Sequence, residues 1–437
     1  MLSLAPELWT QRGEAPRRKF DLEHMRVLSE ALGHPERRFP SIIVAGTNGK
    51  GSTSAMLASI LRQARYRTGL YTSPHLVRVN ERIAIDGEAI SDPEFAEMHG
   101  RIEEISQSLI QAGTLEQHPS FFETLTAMAF EHFASAAIDI AVLEVGIGGR
   151  LDATNVADPL LSVITDISLD HTEWLGNTLT EIAREKAGIL RAKGTLVTLP
   201  QHPEVNDAIG EAVCGLDSRV VNASTYVPPI TPAAEAFEAE SGGSPHNRYP
   251  LEIMGEQVTI DSALAGRHQL RNAALAIASA VELKQSFGYQ ISAQQIAAGI
   301  ATTRWPGRFQ VIAGSPEVVL DVAHNPDGAW ALRSAVTSRY PGQPVTIIFG
   351  AMRDKAIAEI AEILFPLGEE VIATRVNSPR AASAEDILEL TAHVGTPTTN
   401  AESLPQAIDL ARQRNRPIVI TGSVYLVGAA LELLGSR

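Results

Sequence analysis

The 437-residue sequence predicts an α/β fold, in which a glycine-loop domain with a mostly parallel sheet precedes a smaller α/β domain. Short apolar, β-branched segments such as residues 41–44 alternate with segments whose apolar residues recur at helical spacing. The alternation is broken at Trp305-Pro306-Gly307 and then begins again. We therefore predict a first domain over residues 1–300 and a second over residues 301–437.

The composition limits the class of function. Apolar residues make up 44% and charged residues 20% of the chain, as in soluble globular proteins. Because Lys and Arg number 36 against 51 Asp and Glu, we expect neither nucleic acid nor a membrane surface as a partner. Cys214 is the single cysteine, which excludes an intramolecular disulfide. With no signal peptide and no long apolar run, we expect a cytoplasmic, monomeric enzyme that acts on small molecules.

The pattern predicts the elements of the first domain in order. An amphipathic helix over 20–32 is followed by a buried strand over 41–44 and a helix after Lys50. Further strands are predicted at 68–72, 138–145, 160–167 and 194–199, and further helices at 120–133, 269–283 and 293–300. The Pro-, Ser- and Gly-rich residues 229–250 predict a surface loop, and residues 251–254 and 257–260 a hairpin.

The second domain repeats the alternation. Strands are predicted at 318–322, 345–349, 370–376 and 417–421, with helices between them such as 356–364.

A glycine turn joins the first strand to its helix. Residues 45–53 read AGTNGKGST, so that backbone N–H groups and a helix N-terminus can face an anion. Lys50 supplies a mobile cation for the outer phosphates of a nucleotide. The spacing differs from the standard P-loop pattern, because Gly46 lies three residues before Gly49 and Gly51 follows Lys50. A tight turn that binds nothing is the alternative.

Polar side chains follow three predicted strands. Ser73, Glu144 and His171 would meet at one edge of a parallel sheet, where they could hold a metal ion at the phosphates. His171 could instead be a capping or core histidine. The glycines after Glu144 do not form a dinucleotide fingerprint, because Leu151 occupies the place of the third glycine. Lys186, in a predicted helical segment, is ambiguous by itself.

The second domain also places polar residues after its strands. Asp321 and His324 follow the strand at 318–322 and could contact a ribose and a phosphate, while Arg308 lies just past the domain boundary. Residues 353–355 and 421–425 follow two further strands. Each of these could equally be a plain loop.

Taken together, these segments resemble the folylpolyglutamate synthase and dihydrofolate synthase family, a branch of the ATP-dependent Mur-type amide ligases. The segments that carry the resemblance, in family order, are AGTNGKGST (45–53), TSPHL (72–76), FFETLTAMAF (121–130), EVGIGGRLDATN (144–155), DHTEWLG (170–176), EKAGI (185–189), RNAALA (271–276), WPGRF (305–309), DVAHNP (321–326) and TGSVYLVG (421–428). They span nearly the whole chain.

The resemblance implies ATP and a pterin substrate in a cleft between two domains. It implies ATP-phosphate contacts from Asn48, Gly49, Lys50, Gly51 and Ser52, and further ATP contacts across the cleft from Asn272, Arg308 and Asp321. It implies Mg²⁺ ligands at Ser73, Glu144 and His171, and a second metal site at Lys186, carbamylated by CO₂. Lys50, Lys186 and His324, the last near the phosphate and glutamate, would be catalytic. The implied pteroate-binding residues are Asp21, Leu22, Glu23, His24, Ser120, Phe121, Phe122, Glu123, Leu151, Asp152 and Ala153.

The implied reaction joins L-glutamate to a folate-type acid. ATP converts a carboxylate to an acyl phosphate, and the glutamate amino group then attacks its carbonyl carbon. Since Asp152 matches the pteroate segment, we favour a bifunctional enzyme that uses both dihydropteroate and folylpolyglutamates. The alternatives are a folylpolyglutamate synthase alone, another Mur-type amino-acid ligase, which normally carries an extra domain before the glycine turn, and a nucleotide-binding regulatory module.

Overall fold

The computed structural model describes residues 22–229 and 246–435. It divides into two compact units. The first comprises Met1–Pro228, Leu251–Val258 and Arg271–Thr302, and the second comprises Pro229–Pro250, Thr259–Leu270 and Thr303–Arg437. Most of the predicted loop at 229–250, and the predicted pteroate ligand Asp21, lie outside the described residues.

An eight-stranded, mostly parallel sheet forms the first unit, as the sequence predicts. Its strands are β1 (Ser41–Ala45), β2 (Thr68–Tyr71), β3 (Ile83–Ile85), β4 (Glu88–Ala89), β5 (Ile140–Glu144), β6 (Leu161–Ile164), β7 (Thr195–Thr198) and β8 (Arg219–Asn222). Their spatial order is β4-β3-β2-β5-β1-β6-β7-β8, and the pairs β2–β3 and β3–β4 are antiparallel.

Helices flank these strands along the chain. They are α1 (Glu23–Ala31), α2 (Lys50–Gln63), α3 (Asp92–Gln111), α4 (Phe121–Ser135), α5 (Thr172–Leu175), α6 (Leu179–Ala187), α7 (Pro203–Gly215), α8 (Arg267–Phe287) and α9 (Ala293–Thr302). The pattern predicts nothing for residues 83–111, which form β3, β4 and α3. Among the described residues no helix combines the length and apolar character needed to cross a bilayer.

The core explains why β1 lies at the centre. All its residues are buried, and it pairs in parallel with β5 on one side and β6 on the other. A strand covered on both faces reads as a continuous apolar run, which is the pattern that the sequence shows there. The large side chains packed around it include Ile43, Leu143, Phe130 and Phe133.

Strands β9 (Asn247–Ile253) and β10 (Glu256–Ser262) form a two-stranded sheet, which confirms the predicted hairpin. The hairpin is longer than predicted, and the assignment of residues 247–250 to a loop is wrong. Asn247 and Tyr249 alternate in burial with Arg248 and Pro250, which is the period of a strand with one covered face. The flanking Pro and Ser residues obscured this short alternation in the sequence.

The second unit contains a six-stranded sheet. Its strands are β11 (Gln310–Ile312), β12 (Val318–Leu320), β13 (Val345–Phe349), β14 (Gly368–Thr374), β15 (Thr398–Ala401) and β16 (Ile418–Thr421), in the order β11-β12-β16-β13-β14-β15. The strands pair in parallel except β11 with β12. Its helices are α10 (Pro326–Arg339), α11 (Ile357–Leu364), α12 (Ala384–Thr391), α13 (Leu404–Arg412) and α14 (Val424–Gly435).

Candidate active site

Strand order brings the predicted polar residues of the first unit to one edge. Strands β2, β5, β1 and β6 are neighbours in this order and run parallel, so that their carboxyl ends point the same way. Ligands of open α/β sheets bind at this edge. Glu144 is the last residue of β5, and Ser73, the glycine turn and the segment 165–171 follow the other three strands.

The glycine turn takes a backbone shape that other residues rarely adopt. Gly46 has φ of 147° and Gly49 has φ of 92°, and α2 begins directly afterwards at Lys50. A Cβ atom on Gly46 would lie 1.8 Å from Oγ1 of Thr165, the residue that follows β6, so there is no space for a side chain at position 46. The turn therefore brings backbone N–H groups to the start of a helix, where an anion is favoured.

Asn272 lies against this turn. A Cβ on Gly49 would be 2.2 Å from Asn272 Oδ1. The sequence resemblance places Asn272 across an interdomain cleft, but the structure assigns it to the same compact unit as the glycine turn, which corrects that expectation. Residues 259–270 belong to the second unit, and the chain re-enters the first unit at Arg271, within α8. A single boundary in the sequence cannot describe this arrangement.

We expect Gly49→Ala to weaken ADP binding by at least about tenfold, since positive φ costs a residue with Cβ of order 1–3 kcal/mol and Asn272 must also move. Isothermal titration with ADP measures this. Gly288→Ala is the matched control, because Gly288 has φ of 78° but a Cβ on it would meet no other atom within 4 Å. If Gly49→Ala bound ADP as tightly as the control does, the turn would not be the phosphate site.

Two lysines share one carbonyl oxygen. Lys50 Nζ donates to Gly46 O at 3.0 Å and to Thr47 O at 3.1 Å, and Lys186 Nζ donates to Gly46 O at 2.7 Å. Lys186 is buried, and burial together with the Lys50 charge lowers its pKa well below the ordinary lysine value. The low pKa favours the neutral amine at Lys186, which is the form that can act as a nucleophile.

Ser73 and Glu144, which are both predicted metal ligands, are in contact in the structure. The backbone N–H of Ser73 donates to Glu144 Oε2 at 3.2 Å, and the Glu144 carboxylate is buried at the end of β5. His171 has φ of 52° at the start of α5, and its backbone N–H donates to Asp170 Oδ1. Among the described residues, no group of three or more His, Cys, Asp or Glu side chains forms a metal-binding cluster.

Asp152 holds the loop after β5 together. Its Oδ2 accepts from the N–H groups of Gly146 and Ile147 at 2.9 and 3.0 Å. Its Oδ1 accepts from Thr154 N at 3.0 Å and from Thr154 Oγ1 at 2.6 Å. Burial raises the pKa of this carboxyl, and the donated hydrogen bonds oppose the rise by favouring the charged form.

Because Asp152 accepts all four bonds, we expect Asp152→Asn to lower the free energy of unfolding by about 1–3 kcal/mol through unsatisfied buried donors. Urea unfolding measures this. Asp158→Asn is the control, since the Asp158 side chain is 90% exposed. Equal stabilities of the two variants would contradict a role of Asp152 in holding the loop.

Two predicted pteroate segments meet at Gly146. Phe122, on α4, packs so closely that a Cβ on Gly146 would lie 2.6 Å from its ring, and Gly146 N–H donates to Asp152. Ser120 caps α4 by accepting from Glu123 N, and Glu123 in return accepts from Ser120 N. Of the segment near α1, Leu22 and His24 are buried and Glu23 is exposed. Leu151 is half-buried, and Ala153 begins a short 3₁₀ helix.

Beside the Ser73 loop, the buried Arg82 contacts the half-buried His75, and neither residue was among the predicted site residues. Arg82 Nε donates to His75 Nδ1 at 3.0 Å, and the Arg82 guanidinium lies 5.2 Å from the centre of the Phe121 ring. Burial and the Arg82 charge lower the pKa of His75 to about 4, so His75 is neutral at pH 7. Arg82 thereby joins the Ser73 loop to a predicted pteroate segment. In the sequence, Arg82 is a charged residue just before a short strand, and nothing there marks it as a partner of His75 or Phe121.

In the second unit, Asp321 and His324 lie after β12. The carboxylate of Asp321 accepts from Phe309 N at 2.8 Å and from Ala323 N at 2.9 Å, and burial raises its pKa. His324 Nδ1 lies 2.8 Å from Val322 O, which assigns its proton to Nδ1. Arg308 donates through Nη1 to Gly307 O. Asp321 thus links the backbone just after Arg308 to the backbone just before His324.

Comparisons with known proteins agree with this architecture. The Mur ligase middle domain matches residues 44–280, and the Mur ligase glutamate ligase domain matches residues 307–424. The dihydrofolate synthase/folylpolyglutamate synthase of Bacillus subtilis is 33% identical over 93% of this chain and 93% of its own.

Two solved structures share the fold. Mycobacterium tuberculosis folylpolyglutamate synthase, complexed with ADP and AMPPCP, has a TM-score of 0.87 and 36% identity, with 95% of each chain covered. E. coli FolC in complex with DHPP and ADP has a TM-score of 0.80 and 30% identity, with 96% of this chain and 94% of that chain covered. The chain therefore belongs to the Mur ligase family, in its dihydrofolate synthase/folylpolyglutamate synthase branch.

Proposed function

We propose that this chain is an ATP-dependent ligase that joins L-glutamate both to dihydropteroate and to folylpolyglutamates. The observation that carries the proposal is the edge of the first sheet, where the glycine turn with Lys50 lies one strand away from Glu144. The loop after Glu144 is packed on Phe122 and held by Asp152. A phosphate site and a folate site would thus be adjacent.

The nucleotide would bind at the glycine turn. Asn48, Gly49, Lys50, Gly51 and Ser52 lie at the start of α2, and Asn272 lies against Gly49. In support, the homologous enzymes of M. tuberculosis and E. coli were solved with ADP. Arg308 and Asp321 are proposed as further ATP contacts from the second unit.

The donor set fits Mg²⁺. Glu144 offers a carboxylate and Ser73 a hydroxyl, and Mg²⁺ usually takes one or two carboxylates together with substrate phosphates. We propose Ser73, Glu144 and His171 as its ligands. Bound there, the ion would offset negative charge on the phosphates during transfer.

Lys186 is proposed to carry a carbamate. Its amine would add to CO₂ and lose a proton, which would convert a buried amine into an anionic oxygen donor for a second Mg²⁺. The lowered pKa of Lys186 supports this, because the neutral amine is the reacting form.

The chemistry then needs positioning and charge stabilisation. A carboxylate of the pteroate or folate attacks the γ-phosphorus of ATP, ADP leaves, and an acyl phosphate results. Lys50 and the backbone N–H groups of the glycine turn stabilise the charge that spreads over the phosphoryl oxygens. The amino group of L-glutamate attacks the activated carbonyl carbon, loses a proton, and phosphate leaves. His324 is proposed to act near the phosphate and the glutamate.

The domain roles follow the same proposal. Residues 1–300 would bind ATP and the pterin, and residues 301–437 would form the glutamate ligase domain. The two matched families support this division. The compact units differ from it, since residues 229–250 and 259–270 group with the second unit. We propose a cytoplasmic monomer.

Release of ADP is the test of the overall reaction. We expect release that requires both L-glutamate and either dihydropteroate or a reduced folate. Release with folates alone would limit the chain to folylpolyglutamate synthase, and release with only UDP-linked substrates would indicate another Mur-type ligase. Complementation of two strains, each lacking one of the activities, distinguishes the first two cases in cells.

A further inference from the structure

The segment after β6 supports the glycine turn through its backbone. Asp166 O accepts from both Thr47 N, at 2.8 Å, and Asn48 N, at 3.1 Å. Thr47 Oγ1 donates to Ser168 O at 3.0 Å and lies 3.1 Å from Ser168 N, from which it accepts. The N–H groups of two turn residues are therefore used to hold the turn, and this orients the N–H groups that follow at the start of α2.

Asp166 is itself held by an arginine fork. Arg271 Nε donates to Asp166 Oδ2 at 2.9 Å, and Arg271 Nη2 donates to Oδ1 at 2.6 Å and to Pro200 O at 3.1 Å. Such a bidentate pair restricts orientation as well as distance. The two side chains are 33% and 37% exposed, so that this is not a buried ion pair on which folding would depend.

Arg271 also precedes Asn272 on α8. Arg271 donates to the carboxylate of Asp166, and Asn272 lies against Gly49 of the turn. The helix thus supports the glycine turn through two consecutive residues, directly through Asn272 and indirectly through Arg271 and Asp166.

We propose that Arg271 is a positioning residue for nucleotide binding, which acts through Asp166 and Asn272 to set the geometry of the glycine turn. It touches no substrate in this proposal. The inference rests on the proposed function, because it assumes that the nucleotide phosphates bind at the turn.

The molecule supplies a matched control on the same helix. Arg219, on β8, forms a second bidentate fork with Glu282, on α8, through Nη1 at 3.1 Å and through Nη2. Arg219→Ala therefore removes another arginine–carboxylate contact of α8, with Glu282, eleven residues further along the helix from Arg271. Because the Glu282 side chain is only 4% exposed, this variant disturbs α8 at least as much as Arg271→Ala does. A general loosening of α8 would appear in both variants.

The experiment compares ADP affinity, by titration calorimetry, and steady-state kinetics for wild type, Arg271→Ala, Arg271→Lys, Asp166→Ala and Arg219→Ala. We expect Arg271→Ala and Asp166→Ala each to raise the ADP dissociation constant and the KM for ATP by about tenfold, because misplaced binding groups lose that order of effect. The values of kcat and of KM for the folate should change by less than about threefold. Arg271→Lys should be intermediate, since lysine cannot form the fork.

The double variant Arg271→Ala/Asp166→Ala should be no weaker in ADP binding than either single variant, because both break one contact. Arg219→Ala should bind ADP like wild type. The inference is overturned if Arg271→Ala binds ADP like wild type, or if it and Arg219→Ala lower kcat equally without a change in KM for ATP. A wild-type protein that does not bind ADP would instead overturn the proposed function itself.

Discussion

Replacement of Lys50 by alanine is expected to lower kcat by at least about 10³-fold, because a preorganised cation at the transferred phosphoryl group contributes an effect of this order. Coupled measurement of ADP release with saturating L-glutamate and folate gives kcat directly. The fold should persist, since Lys50 is partly exposed and contributes two hydrogen bonds to the turn carbonyls of Gly46 and Thr47.

The control for Lys50 is Lys193→Ala. Lys193 is an exposed lysine in the loop before β7, and its removal changes the net charge by the same amount. We expect normal turnover from it. Near-normal turnover of Lys50→Ala would remove this lysine from the mechanism.

Loss of Lys186 should have the second largest effect. We expect Lys186→Ala to lower turnover by at least about 100-fold, in the range observed when a metal-site residue or its orienting partner is removed. Formate or acetate should restore at least about a tenth of the wild-type rate in this variant, because a small carboxylate can occupy the place of the carbamate. Initial rates at increasing carboxylate concentration measure the rescue.

Lys186→Arg tests whether activity requires a carbamate at this position or only a hydrogen-bond donor to Gly46 O. The guanidinium of this variant can donate to Gly46 O, as Lys186 does at 2.7 Å, but it is positively charged and does not form a carbamate. We expect this variant to be inactive and not to respond to carboxylates. An active Lys186→Arg enzyme, or wild-type protein whose intact mass never shows added CO₂ under native conditions, would contradict the carbamate.

The position and backbone shape of the glycine turn were predictable because such a turn has a local sequence pattern. The glycine turn needs glycines at fixed positions, and Gly46 and Gly49 have the positive φ that such a turn requires. Strands β1 and β13 were predicted almost to the residue, since a strand buried on both faces is apolar throughout. The family, and with it the fold and the reaction class, followed from motifs that are contiguous in sequence.

Other features were hidden because they depend on side chains far apart in the chain. Arg271 and Asp166 are separated by 105 positions, and the residues next to each of them in the sequence do not indicate that the two form a bidentate pair. Asp152 was predicted as a pteroate ligand, and the structure shows that its two oxygens already accept four hydrogen bonds from its own loop. Hydrogen-bond saturation of a carboxylate is visible only in three dimensions.

By itself the sequence determined the class of the protein, because local spacing decides which segments become strands, helices and phosphate turns. It also identified Lys50 as a candidate phosphate contact, whereas Lys186 was ambiguous by itself and was implied only by the resemblance to the family. The tertiary structure alone decided that the Nζ atoms of Lys50 and Lys186 share Gly46 O, and that Asn272 lies in the same unit as the turn. The reason is physical: burial and the charge of Lys50 set the pKa of Lys186, and both arise only when residues on two helices distant in sequence come close together.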